Sequence, residues 1–164
     1  METIYTVIVV ILLVLAILGL VVGVSNDAVN FLNSAIGSKA ASRKVIFTIA
    51  SVGILLGTMT SSGMMEVARS GVFYPEMFTF RDVMMLFLGV MFANVILLDL
   101  FNTFGLPTST TVSLVFGLLG AAVAVTSLKI SADPTLTAAD MSNYINSGKA
   151  LVIISGILAS VAIA

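Results

Sequence analysis

With 164 residues, 59% of them hydrophobic and only 9% charged, and a mean hydropathy of +1.19, this chain falls outside the soluble globular class, where about a quarter of residues carry charge. It has neither cysteine nor histidine, which removes disulfide frameworks, thiol nucleophiles, His-based proton relays, Ser-His hydrolysis and most zinc chemistry. A net charge of −1 gives no electrostatic footprint for a nucleic acid, so the composition defines an all-α integral membrane protein.

The first apolar run covers residues 4–24, about 21 residues, enough at 1.5 Å each to cross a hydrocarbon core. It has no Lys or Arg ahead of it and no A-x-A cleavage pattern after it, so it reads as a retained span rather than a signal peptide. Directly against it stands the polar cluster Ser25-Asn26-Asp27-Ala28-Val29-Asn30. Residues 4–38 would make one helix of about 52 Å, more than a single span needs. The expectation is a break near Ser25–Asn26, or a fold-back of residues 28–38, either one covered by protein or a water-filled cavity.

Lys39, Arg43 and Lys44 follow, the densest short basic cluster, which places this loop in the cytoplasm and the N-terminus outside. A second apolar stretch runs over residues 45–59, extending towards Met65, with Gly53 and Gly57 spaced for close helix packing. The Ser61-Ser62-Gly63 sequence makes a poor hydrolase, since no His can act as its base and lysines sit only in loops. Residues 66–82 read as an amphipathic connector punctuated by Pro75, with Glu66 and Arg69 as an interfacial helix pair.

A third stretch, residues 83–101, carries Asp99 near its end and leads through Asn102 to a second break at residues 105–111, Gly-Leu-Pro-Thr-Ser-Thr-Thr. The apolar run after it, residues 112–125, is about 14 residues, short for a full span, which points to a re-entrant helical hairpin. A polar loop over residues 126–149 contains a helix-start signal at Thr137-Ala138-Ala139-Asp140, and a last apolar stretch covers residues 150–164.

The two breaks carry the chemistry. Asn26, Asp27 and Asn30 fall within one helical turn and offer a carboxylate and amide carbonyls, hard oxygen ligands for a small cation such as Na⁺. Pro107 suits a helix start, and Thr108, Ser109, Thr110 and Thr111 set four hydroxyls around it. The unpaired N–H groups of such a terminus, with its partial positive charge, bind a phosphate-like anion without Lys or Arg. Asp99 and Asn102 are candidate accessory groups of the same polar cavity. The competing reading makes these residues helix caps and interhelical glue in a structural or assembly subunit without transport.

The cluster at residues 25–30, followed by Ser34-Ala35-Ile36-Gly37-Ser38-Lys39, resembles the signature G-x-N-D-x-x-N of the inorganic phosphate transporters of the PiT type. Pro107-Thr108-Ser109-Thr110-Thr111 resembles that family's second element, P-x-S-T-T, and the resemblance spans roughly residues 21–120. It implies symport of inorganic phosphate with Na⁺, or with H⁺, by alternating access, in a cell (plasma or inner) membrane, and no covalent cofactor. It also implies two inverted repeats around a central site. Carried across, Asn26, Asp27 and Asn30 serve the cation, and Asn26, Thr108, Ser109, Thr110 and Thr111 serve phosphate. Sulfate, another tetrahedral anion, is the nearest alternative cargo.

Ser25 stands where a small residue such as Ala is common, and Val112 follows Thr111 where many members carry His. Each motif occurs once in what reads as a single transmembrane domain, residues 1–164, the first repeat of such a transporter. The expectation is that a missing C-terminal half, or a second chain in a homodimer, supplies the other wall of the site.

Overall fold

The computed structural model describes residues 2–62, 66 and 71–163, which puts Gly63 of the serine motif, Met65, and Arg69 of the Glu66–Arg69 pair outside the described residues. The described chain is helical: α1 (Glu2–Gly37), α2 (Arg43–Thr60), α3 (Phe80–Phe104), α4 (Thr110–Ala132) and α5 (Ser147–Ile163), with single 3₁₀ turns at Pro75–Met77 and Ala138–Asp140. The first four helices are each long and apolar enough to cross a membrane; α5, with 17 residues, is shorter.

The expected break at Ser25–Asn26 does not occur, because α1 runs unbroken for 36 residues, roughly 54 Å. The polar cluster is accommodated sideways instead. Ser25 Oγ donates back to the Val21 carbonyl at 2.9 Å, and the Asn26 amide finds its partner on α3, so no backbone group has to be released. With no proline in this stretch, nothing forces a kink. α1 ends at Gly37, where the Ser38 N–H bonds to the Ser34 carbonyl and Lys39 turns to a positive φ of 54°.

The second correction concerns α4. Its apolar run was expected to stop near Val125, yet the helix continues for 23 residues to Ala132. Thr126 is fully buried, and Lys129, in the last turn, reaches over the end of the bundle. The half-length arm of a re-entrant hairpin is thus replaced by a full-length helix, and the polar loop begins at Asp133. The predicted helix-start signal is present: the Thr137 N–H and hydroxyl both donate to Asp140 Oδ2, at 2.8 and 2.9 Å.

Contacts along the helices fix their directions. Tyr5 stacks edge-on against Phe80 near the start of α1 and α3, while Asn26 meets Asn102 near their far ends, so the two run parallel. Asn94 meets Ser113 and Asp82 meets Lys129, so α3 and α4 form an antiparallel hairpin. Gly19 lets α1 lie close to Val95 of α3, and Gly117 does the same for α4 against Val90.

The best-packed region lies at the end of the hairpin away from its tip. Leu86, Val90, Leu118 and Ala122 are buried there with Phe73, Phe78, Tyr144 and Ile145 from the connectors. The segments around Val72 and Ile145 pair through Tyr74 N–H to the Tyr144 carbonyl, 2.9 Å, and Asn146 N–H to the Val72 carbonyl, 3.0 Å. Lys129 Nζ closes this end, 5.3 Å above both the Phe78 and Tyr144 rings and 3.1 Å from Asp82 Oδ2. In the loop after α4, the hydroxyl and N–H of Thr135 hold the Asp133 carboxyl below the ordinary carboxylate range. The N–H and hydroxyl of Thr137 do the same for Asp140. This end of the molecule is therefore clamped while the opposite end carries the polar site. Gly53 and Gly57 of α2, expected to pack closely, face open space among the described residues.

Candidate functional site

The site forms where the tip of the α3–α4 hairpin meets the last third of α1. Gly105 makes the tip possible: it caps α3 with φ +66°, a left-handed conformation, its N–H bonds to the Asn102 carbonyl, and the Leu106 N–H returns to the Phe101 carbonyl at 2.9 Å. The chain then reaches Ser109, the N-cap of α4, whose Oγ accepts from the Val112 N–H at 3.3 Å. The Ser113 N–H bonds to the Ser109 carbonyl, which leaves the N–H groups of Thr110 and Thr111 as the open donors of this turn among the described residues.

Three asparagines lock the tip to α1. Asn102 Nδ2 donates to the Val22 carbonyl at 3.1 Å, so its Oδ1 faces the other way and accepts from Asn26 Nδ2 at 3.0 Å. Asn26 Oδ1 then accepts from Asn30 Nδ2 at 3.4 Å, and the same Asn30 group donates to the Thr108 carbonyl at 3.2 Å. A backbone carbonyl at each end sets the direction of the whole chain of amides. Asn26, at 2% exposure, is one of two buried polar residues among the described ones, and it holds α1, α3 and, through Asn30, the tip in one register.

Asp27 points elsewhere. One residue on from Asn26, it lies about 100° around the helix and faces the start of α4, where the Thr110 hydroxyl sits 3.4 Å from both carboxylate oxygens. The half-buried carboxylate therefore occupies the positive field of the α4 N-terminus, with only long contacts to hold it there.

Two cavities flank this carboxylate. The mid-helix one, about 240 Å³ and open to the surface, is bounded by Gly19, Gly23, Asp27, Asn94, Thr110 and Thr111 together with apolar side chains. The outer one, about 530 Å³, is bounded by Asp27, Asn30, Phe31 and residues 107–111. Asp27, Thr110 and Thr111 belong to both, so they form the wall between them.

The structure thus brings together Asn26, Asp27, Asn30, Asn102, Thr108, Ser109, Thr110 and Thr111. Asn26 lines neither of these two cavities; its amide is spent on the clasp. Asp99 is exposed and stands outside the hydrogen-bonded set. Sequence reasoning missed Asn94 and Ser113, whose partly buried side chains meet at 2.8 Å between α3 and α4. The signal was there: a lone Asn in an apolar span is as unusual as Asp27. Among the described residues no group of three or more acidic side chains could hold a metal ion, so any cation here relies on Asp27 and neutral oxygens.

Fold and site together define a polytopic α-helical membrane protein whose polar centre sets a carboxylate and three amides against a hydroxyl-rich helix start. The model of the phosphate transporter family matches residues 22–164, and the chain belongs to that family. It is 34% identical over 98 residues to the putative phosphate permease TK2061 of Thermococcus kodakarensis, a match covering 58% of this chain. The matched part is 24% of that relative's length. No solved structure is significantly similar. Within the signature, Val24 stands at the glycine position, with Gly23 immediately before it.

Proposed function

We propose that this chain forms one wall of a cation-coupled phosphate symport site that works by alternating access. The observation that carries the reading is the Asp27 carboxylate at the N-terminus of α4, in the wall between two cavities. An oxyanion drawn to the open N–H groups of Thr110 and Thr111 meets that carboxylate's charge. Two unit charges 4 Å apart repel by about 4 kcal/mol at an effective dielectric constant of 20. A Na⁺ or H⁺ on Asp27 removes the repulsion, so cation and anion bind better together than apart, and that dependence is the coupling.

In this reading Asp27 and Asn30 serve the cation, with Asn26 holding Asn30 in place. Ser109, Thr110 and Thr111 serve phosphate, and Thr108 contributes its carbonyl to the clasp. The opposite wall comes from an inverted second repeat, on further sequence or on a second copy, which matches the small share of the relative covered here. The basic loop at Lys39, Arg43 and Lys44 lies on the cytoplasmic side of the cell membrane.

The test is uptake of radiolabelled phosphate into proteoliposomes bearing the full-length protein, under an imposed Na⁺ or H⁺ gradient. Uptake is expected to follow one of the two gradients and to collapse when it is dissipated. Uptake indifferent to both gradients overturns the coupling. Sulfate uptake without phosphate uptake changes the cargo, and neither one, in folded protein, leaves an assembly subunit.

A further inference from the structure

The mid-helix cavity holds an arrangement that the phosphate reading does not itself require. Asn94 lies mid-way along α3, half-buried, and its Oδ1 is taken by the Ser113 hydroxyl at 2.8 Å. With the carbonyl oxygen tied to α4, the amide nitrogen has no acceptor among the described residues, and the side chain lines the same cavity as Asp27 and Thr111. The Thr111 hydroxyl has no partner among the described residues either. The cavity therefore combines an acceptor-only group, the carboxylate, with donors on Asn94 and Thr111. Its 240 Å³ is about eight times a water molecule's ~30 Å³ share of the liquid, room for a tetrahedral anion.

We propose that Asn94, oriented by Ser113, and Asp27 form a mid-helix station for a tetrahedral oxyanion that carries a proton. The anion's O–H donates to Asp27, while its bare oxygens accept from Asn94 and Thr111. Phosphate and arsenate, which keep a proton at neutral pH, satisfy both halves of this pattern. Sulfate presents only acceptors and leaves Asp27 facing a bare oxygen. This inference rests on the phosphate reading above and adds to it a specificity-determining residue and a rule for choosing the anion. Ser113 is a positioning residue: it turns the amide so that N–H, and not C=O, faces the cavity.

The experiment is phosphate uptake kinetics in proteoliposomes of the full-length protein, with arsenate and sulfate as competitors, for the unmodified protein, Asn94→Leu and Ser113→Ala. Arsenate is expected to compete and sulfate not to. Asn94→Leu raises the phosphate KM by about tenfold or more, the share of one hydrogen bond to a charged group, with the maximal rate little changed. Ser113→Ala keeps the donor but frees it, and raises KM by about threefold. A merely structural Asn94 would instead lower the maximal rate and the yield of folded protein, and leave KM in place. KM unmoved in Asn94→Leu, or in Ser113→Ala should Asn94→Leu fail to fold, overturns the inference while unmodified uptake keeps the phosphate reading standing. Effective competition by sulfate overturns the rule for the anion. No phosphate uptake by the unmodified protein overturns the reading itself and the inference with it.

Discussion

Asp27→Asn is expected to abolish gradient-driven phosphate uptake, by about a hundredfold or more, while leaving the protein folded. The substitution keeps size and shape and removes one charge. Among the described residues that charge has only the Thr110 hydroxyl, at 3.4 Å, as a hydrogen-bond partner, so thermal unfolding should shift by less than about 1 kcal/mol. In transport the charge is what binds the cation and makes phosphate binding conditional on it. A change of a few kcal/mol in that balance is enough for the expected factor. Uptake assays and thermal unfolding on the same preparation check both halves. Uptake retained at more than a tenth of the native rate would reduce Asp27 to a local contact.

Asn26→Ala should do the reverse, lowering stability first and transport as a consequence. Its side chain is 2% exposed and donates to Asn102 while accepting from Asn30. Truncation leaves Asn102 Oδ1 without its partner in the α1–α3 interface, at about 1–3 kcal/mol for a buried unpaired group, while the exposed Asn30 Nδ2 keeps the Thr108 carbonyl. We expect a loss of about 1–3 kcal/mol, seen as a fall in the unfolding midpoint, together with loosening of the Gly105–Ser109 tip. Asn30→Ala removes one donor at an exposed position and should cost about 1 kcal/mol or less. Equal stability for Asn26→Ala and the unmodified protein would contradict the clasp.

The contrast between these neighbours shows how far the sequence could be read. Membrane class, the approximate positions of α1 to α4 and the cap at Thr137–Asp140 follow from local rules of length, hydropathy and capping, and the pairing of the two polar motifs follows from the family resemblance. Which way each polar side chain turns does not. Asn26, Asp27 and Asn30 read as one cation-binding face because they share a helical turn, yet the 100° step from Asn26 to Asp27 sends one into α3 and the other to α4. That division depends on where neighbouring helices lie, which periodicity alone does not encode.

The supposed break in α1 was inferred from polarity in an apolar run. Back-bonding by Ser25 and the Asn102 amide satisfy that polarity without unwinding the helix. The length of α4 was underestimated for a similar reason. Thr126 reads as the start of a polar loop, but it is buried in the helix, and the long Lys129 side chain reaches an aromatic pair and Asp82 at the end of the bundle, so the helix carries on beneath it. Asn94 was passed over because no motif surrounds it; its meaning comes from Ser113, 19 residues away, across an antiparallel pair.

The claim at the centre of this account is that a cation on Asp27 and an oxyanion at the start of α4 bind each other's site more tightly. Equilibrium binding of radiolabelled phosphate to the full-length protein, titrated against Na⁺ at fixed pH and then against pH without Na⁺, measures this directly. The account predicts that one of the two cations tightens phosphate binding by about tenfold or more, and that Asp27→Asn removes the dependence. Phosphate affinity indifferent to both Na⁺ and pH, or a dependence unchanged in Asp27→Asn, would contradict it.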